Sequence, residues 1–180
     1  HRQAVSVVRH YMRHSVTFII LFFLILTAKA DQPGPAYQYD LYSENQKYFF
    51  KSVPFYNYSE TDFGKTTIFD TKTKKALYKI DNYLPSPSFL NNNGKSLITT
   101  KYWLWGHDNF DDQVLIQFYI NGKKGKKYYL KDLITDNSVL QQTSSHSLWF
   151  DKMFIHLDIF YVMTLENKTI SFNANTGELI

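Results

Sequence analysis

The chain has 180 residues, of which 18% are aromatic, and it contains no cysteine. The absence of cysteine excludes disulfide bonds, zinc–thiolate sites, thiol nucleophiles and anchoring of a lipid through an N-terminal cysteine. The formal net charge of +4 arises within residues 1–30, because that segment has four Lys and Arg residues and no acidic ones, and the rest of the chain carries 16 charges of each sign. A neutral remainder gives no support for a nucleic-acid partner, which would require a basic face.

Residues 1–30 have the three parts of a secretory signal peptide in the required order. Arg9, Arg13 and His14 form a positive region, residues 16–26 are apolar, and Ala28-Lys29-Ala30 is a small-x-small cleavage signal. We predict cleavage after Ala30 and an exported protein, periplasmic or extracellular and without a lipid anchor. The alternative is a retained anchor, but a membrane span requires roughly 20 apolar residues.

The chain begins at His1 rather than at methionine. Read from Met12, the remaining segment is already a complete short leader. We therefore expect that residues 1–11 lie upstream of the true start.

Residues 31–180 are expected to form a single all-β domain. Aromatic and β-branched residues recur in short runs without a long helical periodicity. The predicted strands are 47–53, 66–70, 76–80, 96–103, 113–120, 127–130, 147–157, 160–165 and 168–172. Between them lie turn sequences such as Asn121-Gly122, which favour tight hairpins.

A strand followed by an Asx residue and a short polar turn occurs three times. The Asx residues are Asp70, Asn121 and Asn173, which predict hairpins at 70–75, 121–126 and 173–178 at a spacing of about 50 residues. A looser echo precedes each unit as a polar turn at residues 44–47, 93–95 and 151–152. The sequence thus predicts repeated antiparallel meanders.

This pattern resembles the blades of YVTN-type, WD-repeat-like and quinoprotein-like β-propellers, in which the short hairpin joins the two outer strands of a four-stranded blade. The resemblance covers most of residues 40–180 and implies a partial propeller of three blades. No Trp-Asp dipeptide ends a unit and no Trp-rich cofactor-docking motif is present, so the resemblance assigns no catalytic residue. Propellers typically have four to eight blades, so we expect either the N-terminal part of a longer protein or a stack of sheets.

The densest group of oxygen ligands lies at residues 107–112. His107, Asp108, Asp111 and Asp112 resemble a loose calcium-binding loop, because hard cations prefer carboxylate and amide oxygens. Asp108, Asp111 and Asp112 are the candidate Ca²⁺ ligands, and Ca²⁺ is the one cofactor considered. The alternative is a solvated loop in which the Asx residues stabilise turns.

Trp103 and Trp105 directly precede that loop and are candidate ligand-binding residues together with His107. Strand alternation would place the two indoles on one face, with Tyr102 and Leu104 on the other. An exposed pair would form a flat platform for a sugar ring or a peptide side chain. The alternative is that both rings fill the core.

Two other sets of residues are candidate sites. Lys123, Lys124, Lys126 and Lys127 flank a glycine and are expected to form a solvated hairpin tip, or else to contact an anionic surface. His156 and Asp158 would share a strand face, but a structural histidine is the expected reading there.

Together these features favour an exported, non-enzymatic binding or scaffold module of the cell envelope or exterior that presents loops to a protein or glycan. They leave open a propeller enzyme, a hydrolase or oxidoreductase, with catalytic residues beyond residue 180. They name no ligand and no oligomeric state.

Overall fold

Short aromatic and β-branched segments form strands throughout the computed structural model, which describes residues 35–55, 63–105, 111–143 and 146–180. The strands are β1 (Tyr39–Tyr42), β2 (Tyr48–Val53), β3 (Lys65–Asp70), β4 (Ala76–Ile80), β5 (Ser88–Leu90), β6 (Ser96–Thr100), β7 (Leu104–Trp105), β8 (Val114–Ile120), β9 (Lys123–Tyr129), β10 (Gln141–Gln142), β11 (His146–Leu148), β12 (Phe150–His156), β13 (Ile159–Thr164) and β14 (Thr169–Asn173). The described helices are short: α1 (Leu130–Leu133) and a 3-10 turn (Asn137–Val139). The all-β prediction is confirmed.

The strands form four antiparallel sheets, none of which closes on itself. Sheet A has the order β1-β2-β3-β4, sheet B the order β5-β6-β8-β9, sheet C the order β10-β11-β7, and sheet D the order β12-β13-β14. Sheets A, B and D are meanders, and Leu179 extends sheet D by a single bridge to Phe172. Sheet C was not predicted, and its strand β7 lies within the connection between two strands of sheet B.

Sheet B is buried on both faces because adjacent residues on its strands point to different cores. Leu97 pairs with Tyr119, and both belong to a cluster with Phe50 and Ile68 of sheet A. The next pair, Ile98 and Phe118, belongs to the cluster that contains the buried residues of sheet D: Phe150, Phe160, Val162 and Phe172. Side chains alternate between the faces of a strand, so sheet B separates two cores and joins sheets A and D.

The outward faces of sheets A and D carry stacked aromatic side chains outside both cores. On sheet A, the Phe49 ring stacks between Tyr42 and Phe69, at centroid distances of 5.2 and 5.0 Å. On sheet D, Phe154 stacks on Tyr161 at 5.0 Å. The rings of each stacked pair lie face to face.

Two of the predicted hairpin turns have the same hydrogen bonds. In residues 70–75, Asp70 N donates to Lys75 O at 3.0 Å and Lys74 N donates to Asp70 O at 2.9 Å. In residues 173–178, Asn173 N donates to Glu178 O at 2.8 Å and Gly177 N donates to Asn173 O at 2.7 Å. Each turn follows the third strand of its sheet and contains a residue with positive φ, 57° at Lys74 and 77° at Gly177.

The third predicted hairpin is tighter than expected. Asn121 and Gly122, with φ of 50° and 81°, connect β8 directly to β9, as an Asn-Gly pair does in a two-residue hairpin. The four lysines of residues 123–127 therefore lie along strand β9 and not at a hairpin tip. They are exposed, as expected.

The first turns of sheets A and B also match one another. Ser43 N donates to Tyr48 O, and Asn91 N donates to Ser96 O, both at 2.9 Å. The predicted third echo at residues 151–152 is wrong, because these residues lie inside β12. The first turn of sheet D is formed instead by Leu157 and Asp158.

Three predicted strands have wrong boundaries. The strand at 96–103 ends at Thr100, because Tyr102 packs on Phe150 of β12 and Trp103 packs on His146 of β11, outside the sheet. The strand at 147–157 is two strands in different sheets, since the chain passes through the fully buried Trp149 between β11 and β12. The strand at 127–130 begins earlier, at Lys123, and Leu130 already belongs to α1. The predicted leader lies outside the described residues.

Candidate functional site

The predicted aromatic platform is described in part. Trp103 lies before β7 and is half-buried, with its ring 3.8 Å from the His146 ring and 4.6 Å from the Tyr102 ring, measured between centroids. Leu104 is buried whereas Tyr102 is 38% exposed, so the predicted pairing of these two residues on one face is wrong. Strand β7 begins only at Leu104, and alternation does not extend back to Tyr102. The backbone of Trp105 pairs with His146.

The predicted calcium loop falls mostly outside the described residues, which include neither His107 nor Asp108. Asp111 and Asp112 are exposed, and a carboxylate oxygen of Asp112 lies 3.4 Å from Lys131 Nζ. Within the described ranges, no group of three or more His, Asp or Glu side chains is arranged to hold a metal ion. The Ca²⁺ site remains a sequence-based prediction.

The described residues bring together a different polar site, where the first turns of sheets A and B meet the end of β12. Asn45 N donates to Asn92 Oδ1 at 2.8 Å, and Asn92 Nδ2 donates to Glu44 Oε2 at 3.1 Å. His156 Nδ1 lies 3.0 Å from the other oxygen of Glu44. We call this set the polar rim: Glu44, Asn45, Asn92 and His156.

A second set of amides supports the polar rim from behind. Asn91 Nδ2 donates to Asn175 Oδ1 at 2.7 Å, and Asn93 donates to the same oxygen. Asn91 is fully buried. Buried amide networks hold their members in fixed positions when their bonds are satisfied, so the Asn92 side chain extends from a rigid turn.

The rim has hydrogen-bonding capacity left over for a ligand. Glu44 and His156 side chains are 46% and 57% exposed. The Glu44 carboxylate has about four acceptor positions, of which His156, Asn92 and the backbone of Leu157 use three. His156 has a second ring nitrogen, and the Asn92 amide has a second hydrogen. The bond with His156, followed by that from Asn92, lowers the pKa of Glu44, which keeps this carboxylate an acceptor at neutral pH.

Leu157 lies directly beside the rim in an unusual conformation. Leu157 and Asp158 have positive φ, of 48° and 62°, and the Leu157 side chain is 75% exposed. A branched apolar residue seldom adopts the left-handed region, which costs roughly 1–2 kcal/mol relative to glycine. The turn is held by a hydrogen bond of 2.8 Å from Ala174 N to Asp158 O. Backbone outliers of this kind concentrate at ligand-contacting positions.

A second polar cluster joins the connection from sheet B to sheet C to the turn between β13 and β14 of sheet D. Glu166 Oε1 accepts hydrogen bonds from Thr135 N at 2.7 Å and from Asp136 N at 2.6 Å, and Lys168 Nζ donates to Oε2 at 2.6 Å. The bond from Lys168, supported by those from Thr135 and Asp136 and opposed by desolvation, lowers the pKa of Glu166 to about 2. This carboxylate is ionised and its acceptor positions are occupied, so it fixes the 135–136 segment and is unsuited to donating a proton.

The two histidines that the structure describes do not form one site. His146 is buried in β11 against Trp103, whereas His156 is exposed at the end of β12. The expectation that His156 and Asp158 share a strand face is wrong, because β12 ends at His156 and Asp158 lies in the following turn. The signal for the polar rim in the sequence was the looser echo at residues 44–47 and 93–95, which predicted turns but not their convergence.

Comparison with known proteins gives no relative. No protein-family model matches the chain, and no curated protein matches it. Within the part of the chain that the structure describes, no helix combines the length and apolarity needed to cross a membrane.

Proposed function

We propose that this protein is an exported, non-enzymatic binding module that contacts a protein or glycan partner through the polar rim and Leu157. Export rests on the leader sequence in residues 1–30. The rim supplies directional donors and acceptors, and Leu157 supplies an exposed apolar contact beside them. Sugars and peptides both present hydroxyl or amide groups next to apolar surface, which this combination fits.

We also propose that sheets A, B and D are propeller-like repeats. The support is positional: residues 70–75, 121–122 and 173–178 each follow the third strand of a sheet, and residues 43–48 and 91–96 each join the first strand to the second. In such an arrangement, turns of the same kind lie at one end of adjacent sheets. That placement would explain why the first turns converge on the rim.

The observation that carries the binding proposal is the exposed side chain of Leu157, because the two-residue turn and the backbone hydrogen bond to Glu44 account for the backbone of this residue but not for an apolar side chain in solvent. A residue selected for stability at positive φ would be Gly or Asn, and an exposed leucine contributes no burial. Leu157 is 75% exposed at φ 48°. Its conformational cost is consistent with a role in contact with a partner.

The test is to replace Leu157 with Asn and measure stability and binding separately. We expect Leu157→Asn to raise the free energy of unfolding by roughly 0.5–1 kcal/mol, because the left-handed strain is relieved. We expect the same variant to weaken, by about tenfold, the binding of ligands selected from an array of uncharged glycans and from a phage-displayed library of peptides without acidic residues, as loss of one buried apolar contact would.

Lys74→Asn is the matched control. Lys74 also has positive φ, 57°, but it lies in the turn between β3 and β4, outside the rim. It should show a similar gain in stability and unchanged binding of the same uncharged ligands, which do not depend on the charge of Lys74. Selected ligands that bind wild type and Leu157→Asn equally well would overturn the proposal, as would a selection that yields no ligand.

A further inference from the structure

Lysine is concentrated on the outer strands of two adjacent sheets. Of the 16 lysines after residue 30, eight fall within residues 72–79 and 123–127, and those two segments contain no acidic residue. All eight are exposed. We call these the lysine edge: Lys72, Lys74, Lys75, Lys79, Lys123, Lys124, Lys126 and Lys127.

The two segments are contiguous in space. A Cβ atom on Gly122 would lie 2.8 Å from the carbonyl oxygen of Lys79 and 3.1 Å from the Tyr78 ring, so the turn before β9 contacts the second half of β4. Strand β4 is the outer strand of sheet A and β9 the outer strand of sheet B. Their lysines therefore form one surface.

Most of this charge is not neutralised locally. Lys126 pairs with Glu178 at 3.2 Å, whereas Lys75, Lys79, Lys123 and Lys124 have no ion pair with any residue that the structure describes. Lysine on an edge strand also prevents unwanted strand pairing, but charges of mixed sign would do the same. A one-sign surface on a chain that is neutral after residue 30 attracts polyanions.

The residue type indicates which kind of polyanion. The chain has no arginine after residue 30. Arginine is the residue suited to forked recognition of phosphate and of nucleic acid, whereas lysine acts as a point charge without directional demand. The lysines of β9 lie along an edge strand, with Lys124 and Lys127 opposite Tyr119 and Gln117 on one face and Lys123 opposite Ile120 on the other. The strand therefore presents positive charge along its length, which suits an extended chain with repeated anionic groups.

We infer that the lysine edge binds linear polysaccharides that carry carboxylate or sulfate groups. This inference rests on the proposed function, because an exported protein meets such glycans, and it assigns a ligand class to side chains other than those of the polar rim. The contacts are electrostatic, between ammonium groups and the glycan anions, with the ammonium of Lys127 held 5.0 Å from the centroid of the Tyr129 ring at the end of β9.

The experiment measures binding of the full chain to heparin, which is sulfated, to polygalacturonate, which carries only carboxylates, and to neutral dextran. We expect binding to at least one anionic glycan and none to dextran, with affinity falling at least about tenfold between about 50 mM and about 500 mM NaCl. Binding to both glycans assigns recognition to anionic charge in general, and binding to heparin alone assigns it to sulfate.

The variant Lys79→Gln/Lys123→Gln/Lys124→Gln/Lys127→Gln should lose at least about tenfold in affinity. The control Lys65→Gln/Lys101→Gln/Lys152→Gln/Lys168→Gln removes the same charge from lysines outside the edge and should lose less than about twofold. Replacing the same four edge lysines with Arg should preserve binding, which separates lost charge from a folding defect.

Equal losses in the edge and control variants would overturn the inference, as would glycan binding no stronger than dextran binding. Tighter binding to poly-uridylate or to phosphatidylglycerol vesicles than to either glycan would reject glycans as the ligand. The ligands selected for the polar rim should bind the edge variant normally. A loss of their binding in Leu157→Asn therefore tests the rim independently of the lysine edge.

Discussion

Sheet B and the outward faces of sheets A and D contain similar aromatic strands in opposite surroundings. Phe118 of sheet B is fully buried, and its ring lies 5.8 Å from Phe172 and 6.3 Å from Phe160. Phe154, on the outward face of sheet D, stacks on its cross-strand neighbour Tyr161 and belongs to neither core. Aromatic content therefore predicts a strand at both places, but only packing between sheets makes such a residue essential to stability.

The largest expected effect is that of Phe118→Ala. Removing a fully buried ring between sheets B and D should lower the free energy of unfolding by about 3–5 kcal/mol, a large part of the stability of a domain of this size. Urea denaturation followed by fluorescence measures it. Phe118→Leu, which leaves most of the volume filled, should lose less, and a loss below about 1 kcal/mol for Phe118→Ala would contradict the two-core arrangement.

Gly177→Ala tests the contact between the last turn and sheet B. Gly177 has φ of 77°, and a Cβ atom there would lie 2.8 Å from the Phe118 ring. Left-handed strain and overpacking together predict a loss of about 2–4 kcal/mol.

Gly125→Ala is the control for that substitution. Gly125 lies in β9 without positive φ, and the nearest atom to its Cβ would be 3.4 Å away. Its effect on the free energy of unfolding should stay within about 0.5 kcal/mol. Equal effects of the two substitutions would contradict the packing of this turn against Phe118.

Phe154→Ala should have a smaller effect, a loss of about 1 kcal/mol, because the side chain contributes one stacked pair and little core contact. The same denaturation experiment measures it. A loss equal to that of Phe118→Ala would mean that the outward face of sheet D is covered by further protein. Such a result would mean that sheet B and the outward face of sheet D do not differ in burial.

The smallest effect concerns Glu166 and is confined to acidic pH. Its pKa is lowered to about 2 in the folded protein, so its contribution to stability is fully present above its ordinary pKa of about 4.5 and is lost as pH falls through about 2. We expect Glu166→Gln to lower the melting temperature at pH 7 and to flatten its decrease between about pH 4.5 and pH 2. Parallel pH profiles for the two proteins would show that Glu166 does not carry this dependence.

Local sequence was enough to locate most strands and turns. Strand β4 begins and ends where the pattern predicts, at Ala76 and Ile80, and the turn at Asn121-Gly122 follows from residues that tolerate positive φ. These features depend on residues that are close together in the sequence, so the sequence pattern predicts them. The predicted strand at 96–103 was wrong for the opposite reason, because distant contacts draw Trp103 to His146 of β11 and Tyr102 to Phe150 of β12, out of the sheet.

The candidate site could be predicted only in its parts. The turns that contain Asn45 and Asn93 were expected as echoes of one another, and His156 was noted as an isolated residue. Their meeting at Glu44 was not expected, because Glu44 and His156 are separated by 112 residues and join through the stacking of three sheets. Leu157 was assigned to a strand, since its apolar character gives no sign of a left-handed turn.

Composition and spacing along the chain thus account for the all-β class, the position of the turns and the exposed lysines, because each reflects backbone preference or solvation of single residues. Packing between sheets decided the rest: which face of sheet B meets which core, where the chain enters sheet C, and which turns form the polar rim. Such contacts join residues far apart in sequence, and their energy depends on the shape and burial of both partners. A pattern along the sequence contains neither the shape nor the burial of a distant partner residue.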